Sequence, residues 1–195
     1  MSERDAPFPR LAVALAYAFS EERHTLNRPA MARAADMRLG EPGALSGADG
    51  CAEIGKVRQF LERGLSPLDF AVLFAKYGQR KTCCKACGGA SDHPEWMGAL
   101  HRIAVALAGV LSMPSVHSEM RFALVRRYYE GNARTIESLA NQHECRLRSA
   151  ERAAAKTADW LRGTRGGNGT EAVRGLEQHA HAEAERLLRD GGFIP

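Results

Sequence analysis

The chain has 195 residues, 45% hydrophobic and 26% charged, the ordinary balance of a globular protein with room for one large or two small cored domains. Its one continuously apolar run, Leu11 to Phe19, is too short to span a bilayer, and it follows Glu3 and Asp5 rather than a basic leader, so no membrane segment and no secretory signal are expected. Five cysteines, three of them crowded at 83, 84 and 87, do not make an extracellular disulfide framework, and a reducing cytoplasm is expected.

In chain order the sequence reads as helix after helix. Residues 9 to 22 form an apolar helix that ends in charge. Asn27 is a cap and Pro29 the first turn of a second helix, running to about Leu39. The Gly/Pro-rich segment 40–50 reads as a loop. Ile54, Val57, Phe60 and Leu61 have helical spacing, with Gly64 placed to end that helix. Ser66-Pro67 is a cap followed by a first-turn proline, opening an apolar helix through Phe70, Val72, Leu73 and Phe74. A Cys/Gly-rich connector covers 78–93, and Pro94 starts a helix carrying Trp96, Leu100, Ile103, Leu107 and Leu111. No stretch alternates with period two for long enough to make a strand, so the expected class is all-α.

The charge is uneven. The net charge is +4, but Arg121 to Arg165 holds ten Lys/Arg against five Asp/Glu, a net of +5, leaving −1 for the rest. A basic module of this kind either faces a polyanion or is a solvated surface. Within it, Phe122, Val125 and Tyr129 space one helix that Gly131-Asn132 end. Thr135 caps a short second helix with Glu137 in its first turn, and a long third helix runs from about Arg146 to Leu161. On the third helix Ala150, Ala153, Thr157 and Leu161 share one face, and Arg148, Arg152 and Lys156 the opposite one. Like charges four apart cost a helix about 0.2–0.5 kcal/mol per pair, so phosphate and base-edge partners would explain why the stripe is tolerated. Small residues at Ala140, Ala150, Ala153 and Ala154 would let two helices cross closely, as a helix-turn-helix requires.

The segment TIESLANQHECRLRSAERAAAKTADWL resembles the C-terminal, promoter-reading domain of bacterial sigma factors and related phage regulators. The resemblance covers roughly 45 residues. It implies that Thr135 starts the bracing helix, that Ile136, Leu139, Ala150 and Ala153 are core, and that Cys145 fills the apolar position after the turn. Glu144 stands where the turn usually has glycine, and Arg146 where a capping Ser or Thr is common. The expected DNA-contacting set is Thr135, Arg146, Arg148, Ser149, Arg152 and Lys156.

Upstream, TCCKACGGASDHPEW has C-x2-C spacing at Cys84 and Cys87, which suits two thiolates on one tetrahedral zinc. Cys83 and His93 are the near candidates for the remaining ligands, with His101, Cys51 or Cys145 more distant; no second pair at a firm spacing is present. A zinc here would be structural, and the other reading is a set of thiols without metal. A helical N-terminal part, a Cys-rich connector followed by a helix, and a C-terminal helix-turn-helix together resemble phage or prophage late-gene antitermination proteins of the Q type. That resemblance implies a bacterial host cell, binding to double-stranded DNA near a late promoter, and action on RNA polymerase, with its sigma factor, so that terminators are read through.

The tail begins with GTRGGNG, Gly163 to Gly169, a flexible linker that lacks a P-loop ending. Thr170 then caps a helix with Val173, Leu176, Ala180, Ala184 and Leu187 on one stripe, for docking on the body or for a homo-oligomer seam; His179 and His181 are expected to face solvent. No HExxH, nucleotide fingerprint or Ser-His-Asp pattern occurs, and the acidic residues are scattered, so no enzyme is expected; a nuclease or recombinase is the exception a spatial cluster would reveal. The expected organisation is a helical body over 1–112 with the connector at 78–93, a helix-turn-helix domain over 115–163, a linker at 164–169 and a tail helix over 170–190. The expected function is that of a DNA-binding transcription regulator, in its finer form an antiterminator. The alternatives are a repressor, activator or packaging protein without polymerase, or a helical protein-interaction module.

Overall fold

A computed structural model describes residues 6–19, 47–83, 89–131, 133–166 and 171–195, with backbone alone over 47–54. Eight α-helices are present among them: α1 Leu11–Phe19, α2 Gly47–Gly64, α3 Pro67–Tyr77, α4 Pro94–Leu107, α5 Ser118–Tyr129, α6 Ile136–Gln142, α7 Leu147–Arg162 and α8 Leu176–Asp190. The fold is mainly helical, with two small antiparallel ladders: β1 Lys81–Cys83 with β2 Ala90–Asp92, and β3 Gly163–Thr164 with β4 Val173–Arg174. The mainly helical class agrees with the all-α expectation, and the four short strands are additions that the sequence did not show. The ladders flank the Cys-rich connector and the glycine-rich segment, and strands two or three residues long leave no readable alternation in a sequence. The second helix and cap expected at 27–39 lie outside the described residues. The loop expected over 40–50 is helical in its last four residues, where α2 begins.

Local signals explain the helix starts. Ser66 Oγ accepts the Asp69 amide at 3.1 Å and donates to its carboxylate at 2.6 Å, with Pro67 in the first turn of α3. Pro94 opens α4, with His93 as its N-cap residue. α3 and α4 pack as a central pair in which the indole of Trp96, wholly buried, donates to Ala75 O at 3.1 Å. Phe19, Phe70 and Phe74 form an aromatic cluster beneath α1. α4 then packs on α5 and α5 on α7, so one apolar core runs from Phe8 to Ile194 and bridges residues 112–115 without a break.

α8 closes the molecule. Ala180, Ala184 and Leu188 are fully buried, and the helix packs on α1, α2, α3 and α7. Ala180 and Ala184 of the expected tail stripe thus dock on the body of the protein, with Leu176 and Leu187 partly buried against it. The helix starts at Leu176 with Gly175 as cap, not at Thr170, and Val173 lies before it and is 63% exposed. Its histidines are partnered: His181 Nε2 lies 2.8 Å from the Tyr77 hydroxyl, and His179 Nδ1 lies 3.1 Å from the buried Asp69 carboxylate. Phe8 N–H donates to Phe193 O at 3.1 Å, joining the segments before α1 and after α8. No helix among the described residues is long and apolar enough to cross a membrane.

Candidate nucleic-acid interface

α5, α6 and α7 form a compact trio over the basic part of the sequence. α6 begins where Thr135 Oγ1 accepts the Ser138 amide at 3.1 Å, the cap that its spacing implies. It ends in a tight turn, His143 to Arg146. Cys145 N–H donates to Ala140 O at 2.9 Å and Glu144 N–H to Asn141 O at 3.4 Å, the paired bonds of a Schellman motif, with Ala140 and Cys145 both buried. That motif needs a left-handed residue between them, and Glu144 supplies it at φ 50°; no other non-glycine residue among those described has positive φ. Glycine would adopt this conformation without cost, whereas an L side chain there costs about 1–2 kcal/mol. The departure from glycine noted in the sequence is thus a strained residue that the turn accommodates.

α7 has two unlike faces. Ala150, Ala153 and Leu161 are 0% exposed and Thr157 is 1% exposed, its hydroxyl bonded to Ala153 O at 2.7 Å. These four were expected to share a face, and all four are buried. The opposite face carries Arg148, Arg152 and Lys156, all exposed, over about 12 Å of helix. Glu151 and Asp159 are exposed there too, yet neither Arg148, Arg152 nor Lys156 makes an ion pair or hydrogen bond among the described residues. Arg146 is the exposed N-cap residue of α7 and makes no side-chain cap bond; the first turn holds no acidic residue, so the positive end of the helix dipole is uncompensated. Ser149 is half-buried in that turn. Thr135 is exposed, but its hydroxyl already accepts from Ser138, leaving its proton and second lone pair for other partners.

Two further cations of the basic segment lie against α6. Arg127 Nε donates to Arg134 O at 2.7 Å and Arg134 Nη1 to Gln142 Oε1 at 3.3 Å, beside the start and end of α6. Both line an open cleft of about 420 Å³ between α4, α5 and α6, floored by Phe122 with His101 stacked on it at 4.2 Å. Nothing in their sequence spacing marks these residues, because α6 comes back against α5 only in three dimensions.

The connector packs against the C-terminal end of α5. Arg126 bridges Asp92 at 3.0 Å and Glu130 at 2.8 Å, and Asp92 also takes Lys81 at 2.6 Å. The Lys81 hydrogen bond holds the Asp92 carboxyl below the usual range, helped by Arg126; burial, which would lower the Arg126 pKa, is outweighed by its two carboxylates. Of the zinc candidates, Cys84 and Cys87 lie outside the described residues. Cys83 is exposed at the end of β1, paired with Ala90, whereas His93 is buried, its ring 6.3 Å from that of Phe74 and its amide bonded to Arg80 O. Along the ladder the two lie three residues apart, about 10 Å of strand. Cys145 is buried in the turn before α7, His101 is stacked on Phe122, and no three metal-ligating side chains converge among the described residues.

No family model, no curated protein and no solved structure matches the chain.

Proposed function

We propose that the chain binds double-stranded DNA through α6 and α7, with the N-terminal half of α7 in the major groove. The observation that carries this reading is the row of Arg148, Arg152 and Lys156: three exposed cations, unpaired among the described residues, on a helix whose other face is locked in the core. A protein gains nothing for its own stability from such a row, since the charges repel. A polyanion supplies the missing partner. The tight turn at Glu144 and the small buried residues Ala140, Ala150 and Ala153 agree with a helix that braces and a helix that reads. In this reading Arg146 and Arg148 reach base edges, where arginine makes two hydrogen bonds to guanine, and Arg152 and Lys156 take phosphates. Thr135 and Ser149 contribute backbone contacts.

The biological reading is a transcription regulator, and its finer form is a phage late-gene antiterminator acting on RNA polymerase and its sigma factor in a bacterial cytoplasm. That form rests on the resemblance of the sequence layout to Q-type proteins. A structural zinc on the Cys84–Cys87 pair belongs to the same resemblance; no part of the DNA contact is routed through it.

The test is the salt dependence of binding to DNA from the protein's own genomic neighbourhood, wild type against R148A/R152A. Sequence-selective binding with a steep salt slope that the double variant flattens is expected, and a terminator read-through assay with purified polymerase then separates an antiterminator from a repressor, activator or packaging protein. Absence of binding at low salt by the folded protein would overturn the reading and leave a helical module for acidic protein surfaces in its place.

A further inference from the structure

Two short strands flank the glycine-rich segment after α7, β3 directly following the helix and β4 preceding α8. Gly163 caps α7 at φ 86°, and β3 pairs with β4 in the register Gly163 to Arg174 and Thr164 to Val173. The two strands meet backbone to backbone at their base. A Cβ on Gly163 would lie 2.6 Å from both Gly175 N and Val173 O, and one on Gly175 would overlap Gly163 N and Arg162 C. Two glycines therefore pin the ladder to the end of α7, so its orientation is tied to that helix. Arg165 directly follows β3 and Arg174 lies on β4, both exposed and without an ion pair or hydrogen bond among the described residues. Arg174 borders a shallow cavity with Lys76, Glu177 and Glu185, but Glu177 is taken by Lys76 at 2.8 Å. Arg162, between α7 and the ladder, stays exposed and is hydrogen-bonded to Tyr128.

Helix length then decides what these cations would meet. α7 has 16 residues, about 24 Å, and the major groove is about 12 Å wide. With the first half of α7 against the bases, its last turns emerge past the groove wall, where the polymer offers phosphates. We infer that the β3–β4 ladder is a second DNA-contacting element, a wing whose Arg165 and Arg174 take backbone phosphates beside the groove that holds α7. This rests on the DNA-binding reading above and extends it, because these contacts carry affinity without sequence information.

The experiment measures binding of the full chain to a selected and a scrambled DNA duplex across 50 to 200 mM salt, for wild type, R165A/R174A and R165K/R174K, each checked for wild-type thermal unfolding. Removing one cation from its phosphate makes the log–log salt slope shallower by about 0.9, so over this range the alanine variant should lose about tenfold less affinity than wild type. Its selectivity between the two duplexes should stay unchanged, and the lysine variant should restore the slope. A wild-type slope in R165A/R174A, a loss confined to the selected duplex, or failure of the lysines to restore would overturn the wing while leaving α7 as the reader. If the wild type bound neither duplex, the underlying reading would fall, and the wing with it.

Discussion

α7 and α8 are alike on the inside and opposite on the outside. Each buries two alanines and a leucine completely: Ala150, Ala153 and Leu161 on one, Ala180, Ala184 and Leu188 on the other. Outside, α8 is zipped by its own charges. Arg186 meets Glu183 at 3.0 Å and Asp190 at 3.3 Å, and Arg189 meets Glu185 at 2.8 Å. On α7, Arg148, Arg152 and Lys156 have no such partner among the described residues. The order of residues explains part of this. In α8 Glu183 and Glu185 precede their arginines by three and four positions, the favourable orientation against the helix dipole, and Arg186 also reaches Asp190 in the reverse order; on α7 Arg148 precedes Glu151 and Lys156 precedes Asp159 in that reverse order, and no pair forms. One helix pairs its surface charge along its own length, and the other leaves three cations unpaired among the described residues.

Several substitutions probe how far that likeness goes. The largest effects should come from the shared inner faces: Leu161→Ala and Leu188→Ala should each cost about 2–5 kcal/mol in urea unfolding, because both leucines are wholly buried. A small loss at Leu161 alone would mean that α7 is less firmly docked than α8. Next are the helix ends. α6 and α8 close with the same Schellman bonds, but Glu144 holds the left-handed position after α6 and Gly192, at φ 72°, the one after α8. Glu144→Gly should therefore raise stability by about 1 kcal/mol, whereas Gly192→Ala should lower it by a similar amount. If Glu144→Gly were destabilising, the Glu144 side chain would have a role of its own.

The outer faces should respond in tenths of a kcal/mol and with opposite signs. R186A/R189A should lose about 0.2–0.5 kcal/mol per pair and leave DNA binding unchanged, whereas R148A/R152A should gain a similar amount by relieving repulsion while weakening DNA binding. The smallest effect is a pH response in the ion-pair cluster that joins β2 to α5. The Asp92 carboxyl titrates below its unfolded value, so the folded state holds fewer protons and Asp92 contributes stability that is complete above about pH 4 and is lost as pH falls through the depressed folded value. Acid unfolding curves of wild type and Asp92→Asn should differ at neutral pH and converge at low pH; parallel curves would mean that the pair with Lys81 and Arg126 adds nothing.

Much was legible in the residues themselves, and for local reasons. Ser66, Thr135 and Pro94 mark helix starts because a cap or a first-turn proline acts within three residues of its own position. The buried face of α7 follows from the 3.6-residue period alone, as does the exposure of Arg148, Arg152 and Lys156. What escaped depends on distance along the chain. The two ladders are too short to leave an alternating pattern, and no local signal announces the close approach of Gly163 to Gly175. Leu188, not the neighbouring Leu187, is the fully buried leucine of α8, and Val173 stays outside, because α1, α2, α3 and α7 together decide which side of the helix is covered. Local chemistry and periodicity thus set the helices and their polar faces. Only the tertiary structure decided which apolar stripe was buried in the core, which charges found partners and which were left over, since those outcomes depend on what residues distant in sequence bring alongside.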